Sequence, residues 1–389
     1  MNTKHILRNV VVLLAALALA FLAGQEFYDL QQPDEFYTAN PALTRIAKLS
    51  EYNPNLKGTA GDTDIYVFDS GVPGGVALIY GGTHANETAA VMSAITYIEN
   101  VSVSQGKLFV IPQANLSAFS ATLPLRAQTG HMTFKLTDGS TRQVRIGTRL
   151  ANPVHQWPDP NYRLNTSGRM LQHGEIAEIR NLNRNHPGLE EGYLVEMVCY
   201  GIRKLVETEN VDLLFDGHEA SPEFRAVNFL IAHERAMDLG SAAILNANLD
   251  AMMEGNMDGY PFKLDRSGAT SWGLSHRALG DNTNAMATLF ESLNPVMGFC
   301  HDKVTEELVK DGISPNYVKI TELGLLNSGE LTEAGSPIEL RAAYHMEMSR
   351  HLIGALGELY PEKTLTISGL PTFNDLVTNG FEGILKPLK

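Results

Sequence analysis

The stretch Gly75–Glu87, GVALIYGGTHANE, constrains the fold more than any other. Val76–Tyr80 is a short apolar run with glycines on both sides. It is too brief and too interrupted for a helix, and it reads as a fully buried strand. Thr88–Asn100 then carries helix spacing in Ala89, Val91, Met92, Ile95 and Ile98, and Leu108–Pro112 (LFVIP) is a second buried strand. Strand–helix–strand order predicts an α/β fold: a mixed, mainly parallel twisted sheet with helices on both faces. Further apolar runs at Val211–Phe215 and Ala285–Phe290 extend the sheet, helix spacing at Tyr193–Glu207 and Ile338–Leu356 covers it, and no internal repeat is visible.

Polar residues that can do chemistry stand where these strands end. Gly81 and Gly82 permit a tight turn after the first strand, and His84 and Glu87 follow, an imidazole and a carboxylate three residues apart. After Val211–Phe215 come Asp216, Gly217, His218 and Glu219, and Glu291 directly follows Ala285–Phe290. In open parallel sheets ligands gather beyond the carboxyl ends of the strands. His84, Glu87 and His218 are therefore expected at one edge. Two nitrogens and an oxygen suit zinc, whose catalytic sites use three protein ligands plus water.

The remainder bounds the class. The 389 residues are 44% hydrophobic and 19% charged, as in an ordinary globular chain, and the net charge of −14 argues against nucleic acid or anionic lipid as partner. Lys4 and Arg8 precede an uncharged apolar run, Val10–Gly24, that ends in small residues. That pattern is a secretory signal, with an uncleaved anchor as the alternative, and it predicts an exported protein. The run is shorter than the roughly 20 residues a stable span needs. Cys199 and Cys300 allow one disulfide or two free thiols. The organisation expected is a signal or anchor at 1–24, an irregular lead-in at 25–60 with a helical piece near Ala42–Ser50, a catalytic domain at 61–360, and a strand-and-loop tail at 361–389. Within the domain, residues 117–162 read as an insertion. Asp138-Gly139 between Thr133–Leu136 and Gln143–Ile146 predicts a β-hairpin there, either leaning over the site or a surface ornament.

With HANE, NLNRNHPG, FDGHE and a strand-terminal glutamate in that order, residues 60–360 resemble the M14 zinc carboxypeptidase superfamily. That superfamily includes the aspartoacylase/succinylglutamate desuccinylase deacylases. The resemblance implies zinc held by His84, Glu87 and His218, with Glu291 as general base. It also implies that Asn183 and Arg184 grip a substrate carboxylate, and that another arginine faces the oxyanion. Arg180, Arg163 and Arg169 compete for that last place, and Arg180 is preferred. Asp216 is either an orienter of a ligand histidine or a plain loop acid. Glu322 in KITELG rivals Glu291 as base. The tyrosine that carboxypeptidases carry before the base is missing from SGATSWGLSHRALGD; Tyr260 lies too early, and His276 occupies that region. The activity implied is hydrolysis of an amide beside a free carboxylate in a peptide, or alternatively in an N-acyl amino acid. A binding module without turnover is the weakest reading, because ligands, arginine and base are all present.

Overall fold

The computed structural model describes residues 3–31, 40–121, 130–168, 170–172, 178–225, 227–326 and 331–388. Two compact units divide the chain, Met1–Glu35 and Phe36–Lys389. The first contains one helix, α1 (Thr3–Gln31), which passes through the small residues at Ala18–Gly24 without a break. Its Thr3–Asp29 stretch is long and apolar enough to cross a membrane.

The second unit begins with β1 (Arg45–Lys48), β2 (Asp64–Asp69), β3 (Val76–Tyr80), α2 (Thr88–Asn100), β4 (Ser102–Gln105) and β5 (Lys107–Ile111). Next come β6 (His131–Lys135), β7 (Thr141–Arg145), β8 (Tyr162–Leu164), β9 (Met170–Gln172), α3 (Leu194–Thr208) and β10 (Leu213–Ala220). Then follow β11 (Phe229–Ala232), α4 (Met237–Met253), β12 (Lys263–Arg266), α5 (Ser275–Asn282) and β13 (Met286–Leu293). The chain closes with α6 (Glu306–Asp311), α7 (Pro315–Glu322), α8 (Ile338–Leu359), β14 (Thr366–Ser368) and α9 (Phe373–Ile384).

The central sheet has eight strands in the order β1-β2-β5-β3-β10-β13-β11-β12. Its middle four, β5-β3-β10-β13, run parallel to one another, as expected of the glycine-bounded apolar runs. Antiparallel pairing occurs at β1/β2, β2/β5 and β11/β13. Strand alternation sends Ala77, Ile79, Leu213, Phe215 and Phe290 into a core beneath α2, α4 and α8, and Leu78, Tyr80, Leu214 and Ala287 into a second beneath α3. Helices therefore cover both faces.

Two local readings change. Ala42–Ser50 is not an α-helix: Arg45–Lys48 is β1, with Ile46 exposed and Ala47 buried and pairing along β2, and a short 3₁₀ turn begins only at Leu49. The tail holds a helix, α9, which starts on a capping box of Thr372 and Asp375. Gly380, at φ 64°, interrupts its helical pattern and masks it in the sequence. The hairpin forms as β6 and β7, with Gly139 at φ 86° in the turn. Met132, Phe134 and Val144 are buried, Phe134 packs edge-on to Phe381 of α9, and Arg142 Nη1 meets Glu99 of α2 at 2.6 Å, both side chains fully buried. The hairpin is thus part of the core, and its outgoing strand delivers residues 147–149 to the loop after β3. There Gly147 N–H donates to the Ala85 carbonyl and Ala85 N–H to that of Thr148.

Candidate metal centre

The loop after β3 is shaped by its glycines. Gly82 sits at φ 69°, and a side chain on it would collide with the Pro112 carbonyl; one on Gly81 would strike the backbone of α2 at Ala90. The chain therefore turns at once, and Glu87 N–H donates back to the His84 carbonyl just before α2 begins. This local turn aims His84 and Glu87 at the same point.

His218 arrives from the neighbouring strand. β10 does not stop at Phe215; it runs to Ala220 and carries Asp216–Glu219 within it. Period-two alternation then sorts its polar residues by face. Asp216 and His218 share the face of Leu214, above α3. Glu219 points the other way, where it bonds Arg341 Nη1 at 2.5 Å and caps Ala89 N–H at 3.0 Å. Both members of that ion pair are fully buried, so it braces the start of α2.

His84, Glu87 and His218 are all buried, and their ligand atoms lie within 4.8 Å of one another. The Glu87 carboxylate is the hub. Its Oε1 is 2.6 Å from His84 Nδ1, and its Oε2 is 2.8 Å from His218 Nδ1. The far nitrogens are held by outer partners: His84 Nε2 is 2.9 Å from Asn181 Oδ1, and His218 Nε2 is 3.0 Å from Asp216 Oδ2. Asp216 also accepts from Thr83 Oγ1 at 2.9 Å and Ser275 Oγ at 2.5 Å. Asp216 therefore orients a histidine and is not a plain loop acid. This is the arrangement that fixes ligand imidazoles, the outer nitrogen donating so that the inner one offers its lone pair.

The set fits a divalent cation. Asn181 leaves His84 Nδ1 as a lone pair facing a carboxylate oxygen, a repulsion that the Arg149 guanidinium relieves from the side at 3.3 and 3.5 Å and that a cation held between the two atoms would relieve directly. Burial, with the nearby Arg149 charge, drives the His84 pKa down to about 4 against the pull of Glu87, so a second proton is not a ready source of that charge. Glu87 itself is held well below the usual carboxylate range: burial opposes ionisation, but His84 and His218 outweigh it. Tetrahedral zinc, with bonds of about 2.0–2.2 Å, brings its ligand atoms to roughly 3.4 Å apart, a spacing this cluster can adopt by small side-chain shifts.

Glu291 is the register partner of His218 across the parallel β10/β13 pair, so the two side chains stand side by side on one face. It is half-buried. Burial raises its pKa to about 7, with Glu87 adding to the rise and His218 and Arg149 opposing it. Its rival Glu322 is an exposed residue at the last position of α7.

The arginines are distributed differently from expectation. Arg180 bonds Asp159 Oδ2 at 2.9 Å and the Ala151 carbonyl, which braces the strap at residues 149–159. Arg163 is taken up by Glu196 and Asn185 and stacks on Tyr193. Arg169 lies outside the described residues. The guanidinium beside the cluster is that of Arg149, with Nη1 3.3 Å from His84 Nδ1 and 3.5 Å from Glu87 Oε1. No motif marks it; its place depends on the hairpin's exit strand. Asn183 is buried, with its Oδ1 accepting Ser275 N–H at 2.7 Å and its Nδ2 lying 3.5 Å from His218 Nε2. Half-buried Arg184 follows it and donates through Nη1 to the Asn183 carbonyl at 2.8 Å. His276 is buried against Ser267 Oγ at 2.8 Å, and Tyr260 packs among Phe262, Tyr344 and Phe373. Cys199 is buried and Cys300 exposed, both as free thiols.

Fold and site together define an α/β protein with a buried His–Glu–His cluster at the rim of a parallel sheet. No family model matches the sequence, and no curated protein does. Solved structures are similar to it. A succinylglutamate desuccinylase from a Silicibacter species is 18% identical, with a TM-score of 0.37, covering 61% of this chain and 55% of its own. A metallo-carboxypeptidase from Burkholderia cenocepacia is 11% identical, with a TM-score of 0.42, covering 86% and 68%. The tripeptide-bound cell shape determinant Csd4 from Helicobacter pylori is 12% identical, with a TM-score of 0.45, covering 81% and 59%. This chain thus spans little more than half the length of the desuccinylase.

Proposed function

We propose that the protein is a zinc-dependent hydrolase that cleaves an amide bond next to a free carboxylate, in the manner of a carboxypeptidase. The observation that carries this reading is the convergence of His84 Nδ1, Glu87 and His218 Nδ1, with Glu291 standing beside His218 on the next strand. Zinc held by those three residues would lower the pKa of water and polarise the scissile carbonyl. Glu291 takes the water's proton and returns it to the leaving nitrogen, and a carboxyl titrating near neutrality is matched to both tasks. Arg149 is the guanidinium placed to face the developing oxyanion. Arg184, with the Nδ2 end of Asn183, receives the substrate carboxylate through paired hydrogen bonds.

Deacylation of an N-acyl amino acid uses the same groups and is the second reading, favoured by the absence of a tyrosine in the segment before β13. The deciding experiment is zinc content per chain together with a hydrolysis screen of carboxyl-bearing amides. Peptides with free C-termini are compared with small N-acyl amino acids. A zinc-free chain inert on both sets would end the proposal. Within it, Arg184→Ala is expected to raise KM by about one to two orders of magnitude, the worth of a charged hydrogen bond of 1.5–3 kcal/mol. An exposed control such as Arg45→Ala leaves KM unchanged, and an equal response of the two would remove the carboxylate clamp.

We further propose that α1 is an uncleaved anchor. Its Thr3–Asp29 stretch is 27 residues long, about 40 Å of helix around the uncharged run Val10–Gly24, and so can bridge a hydrocarbon core of about 30 Å. Lys4 and Arg8 at its start put the N-terminus on the cytoplasmic side, so residues after α1 are exported. Full-length protein is expected to stay with membranes through alkaline carbonate extraction and to be digested by protease added on the non-cytoplasmic side of that membrane. Release of a shortened chain would show a cleaved signal instead.

A further inference from the structure

We infer that the solvent face of α4 is a docking site for an amphipathic helix of a partner protein, one that carries lysine or arginine beside its apolar side. α4 is apolar on two sides. Leu239, Ala243, Ala247 and Ala251 recur at helical spacing and are buried toward the sheet and α8. Leu245, Leu249, Met252 and Met253 lie on the other side, within about 100° of arc at 3.6 residues per turn. They are 60, 49, 43 and 84% exposed. Ser241 continues the stripe toward the start of the helix, and exposed Met257 follows just beyond its end. Single exposed apolar side chains are ordinary on a protein surface. A helix apolar on both sides is normally buried on both, and a continuous exposed stripe marks a contact surface.

What surrounds the stripe is of one sign. Between Ala236 and Phe262 the sequence has Asp238, Asp250, Glu254 and Asp258, all exposed, and no lysine, arginine or histidine. Two copies of α4 laid together would set carboxylates against carboxylates, and an anionic lipid headgroup would meet the same repulsion. The complementary surface is apolar with basic flanks. A single helix supplies it: leucine-like residues at helical spacing cover the stripe, and lysine or arginine on either side reaches the acids. Two of the four large residues in the stripe are methionines, whose unbranched, polarisable side chains adapt to the shape laid against them. The inference does not depend on the metal reading.

The test uses the full chain in phosphatidylcholine nanodiscs and labelled model peptides, with binding read by fluorescence anisotropy. The probe peptide has leucine at helical spacing and lysine on both flanks. One control replaces each lysine by glutamate, and another scrambles the order at the same composition. The probe is expected to bind at least about tenfold more tightly than either control. Leu249→Ser combined with Met253→Ser should weaken it about 10- to 100-fold at an unchanged melting temperature, because both side chains face solvent in the free chain. Asp250→Asn combined with Glu254→Gln should lower affinity about 3- to 10-fold at low salt and flatten its salt dependence. Ordered and scrambled peptides binding alike, or the serine pair binding as wild type does, would overturn the inference. So would a wild-type dimer that the serine pair dissolves, which gives the face to a second copy. Probe binding seen in detergent and lost in the discs would give it to the bilayer and overturn the inference equally.

Discussion

Glu291→Gln is expected to leave zinc bound at wild-type stoichiometry while hydrolysis falls by about 10²- to 10⁴-fold, the usual contribution of a positioned general base. The substitution is close to isosteric and removes a charge from a half-buried position, so it leaves no unpaired ion behind. Glu291 is also not one of the three residues whose atoms converge, which is why metal content and turnover should separate. The measurement pairs zinc per chain with kcat/KM on the best amide from the screen. Activity retained by a folded, zinc-loaded Gln variant would take Glu291 out of the mechanism. Glu322, exposed at the end of α7, does not offer a ready substitute.

His218→Ala is expected to abolish stoichiometric zinc and reduce hydrolysis to background. Two ligands, His84 and Glu87, would remain where a catalytic site uses three. The substitution has a second effect. His218 lies between two buried carboxylates, at 2.8 Å from Glu87 and 3.0 Å from Asp216, and its removal leaves both without their shared partner. Breaking a buried ionic contact from one side typically costs about 3–5 kcal/mol. His218→Asn therefore belongs beside it: the shorter amide can still donate to one carboxylate, and it should lose zinc equally with a smaller fall in melting temperature. Full zinc content in a folded His218→Asn variant would show that the ion is held elsewhere.

Much of the site could be read from residue order because its parts are locally encoded. The HANE loop follows a glycine pair that only a tight turn requires, and the apolar runs before His218 and Glu291 fix where the strands lie. Parallel register then does what no motif states, setting Glu291 level with His218. The sequence pattern misjudged where β10 ends, because Asp, Gly, His and Glu are poor strand formers and look like a loop. Pairing with β13 along its whole length overrides that preference. The place of the arginines was hidden for a related reason. Arg180 is close in sequence to the Asn183-Arg184 motif but turns to Asp159, whereas Arg149 reaches the cluster through a hairpin whose placement depends on α2 and α9. Asn181 gives no signal of its own, since an asparagine before a 3₁₀ turn is an ordinary cap.

By itself the sequence determined the α/β class, the buried parallel strands and the kinds of side chain that gather at the candidate metal site. Those follow from apolar periodicity and short-range turn chemistry, which act within a few residues. Only the tertiary structure decided which nitrogen of each histidine faces Glu87, which arginine stands beside His84 and Glu87, and that Glu219 is spent on Arg341. Each of these depends on contacts between residues dozens to hundreds of positions apart, such as Asn181 with His84 and Glu219 with Arg341, and they exist only once the sheet has set its register and closed its faces.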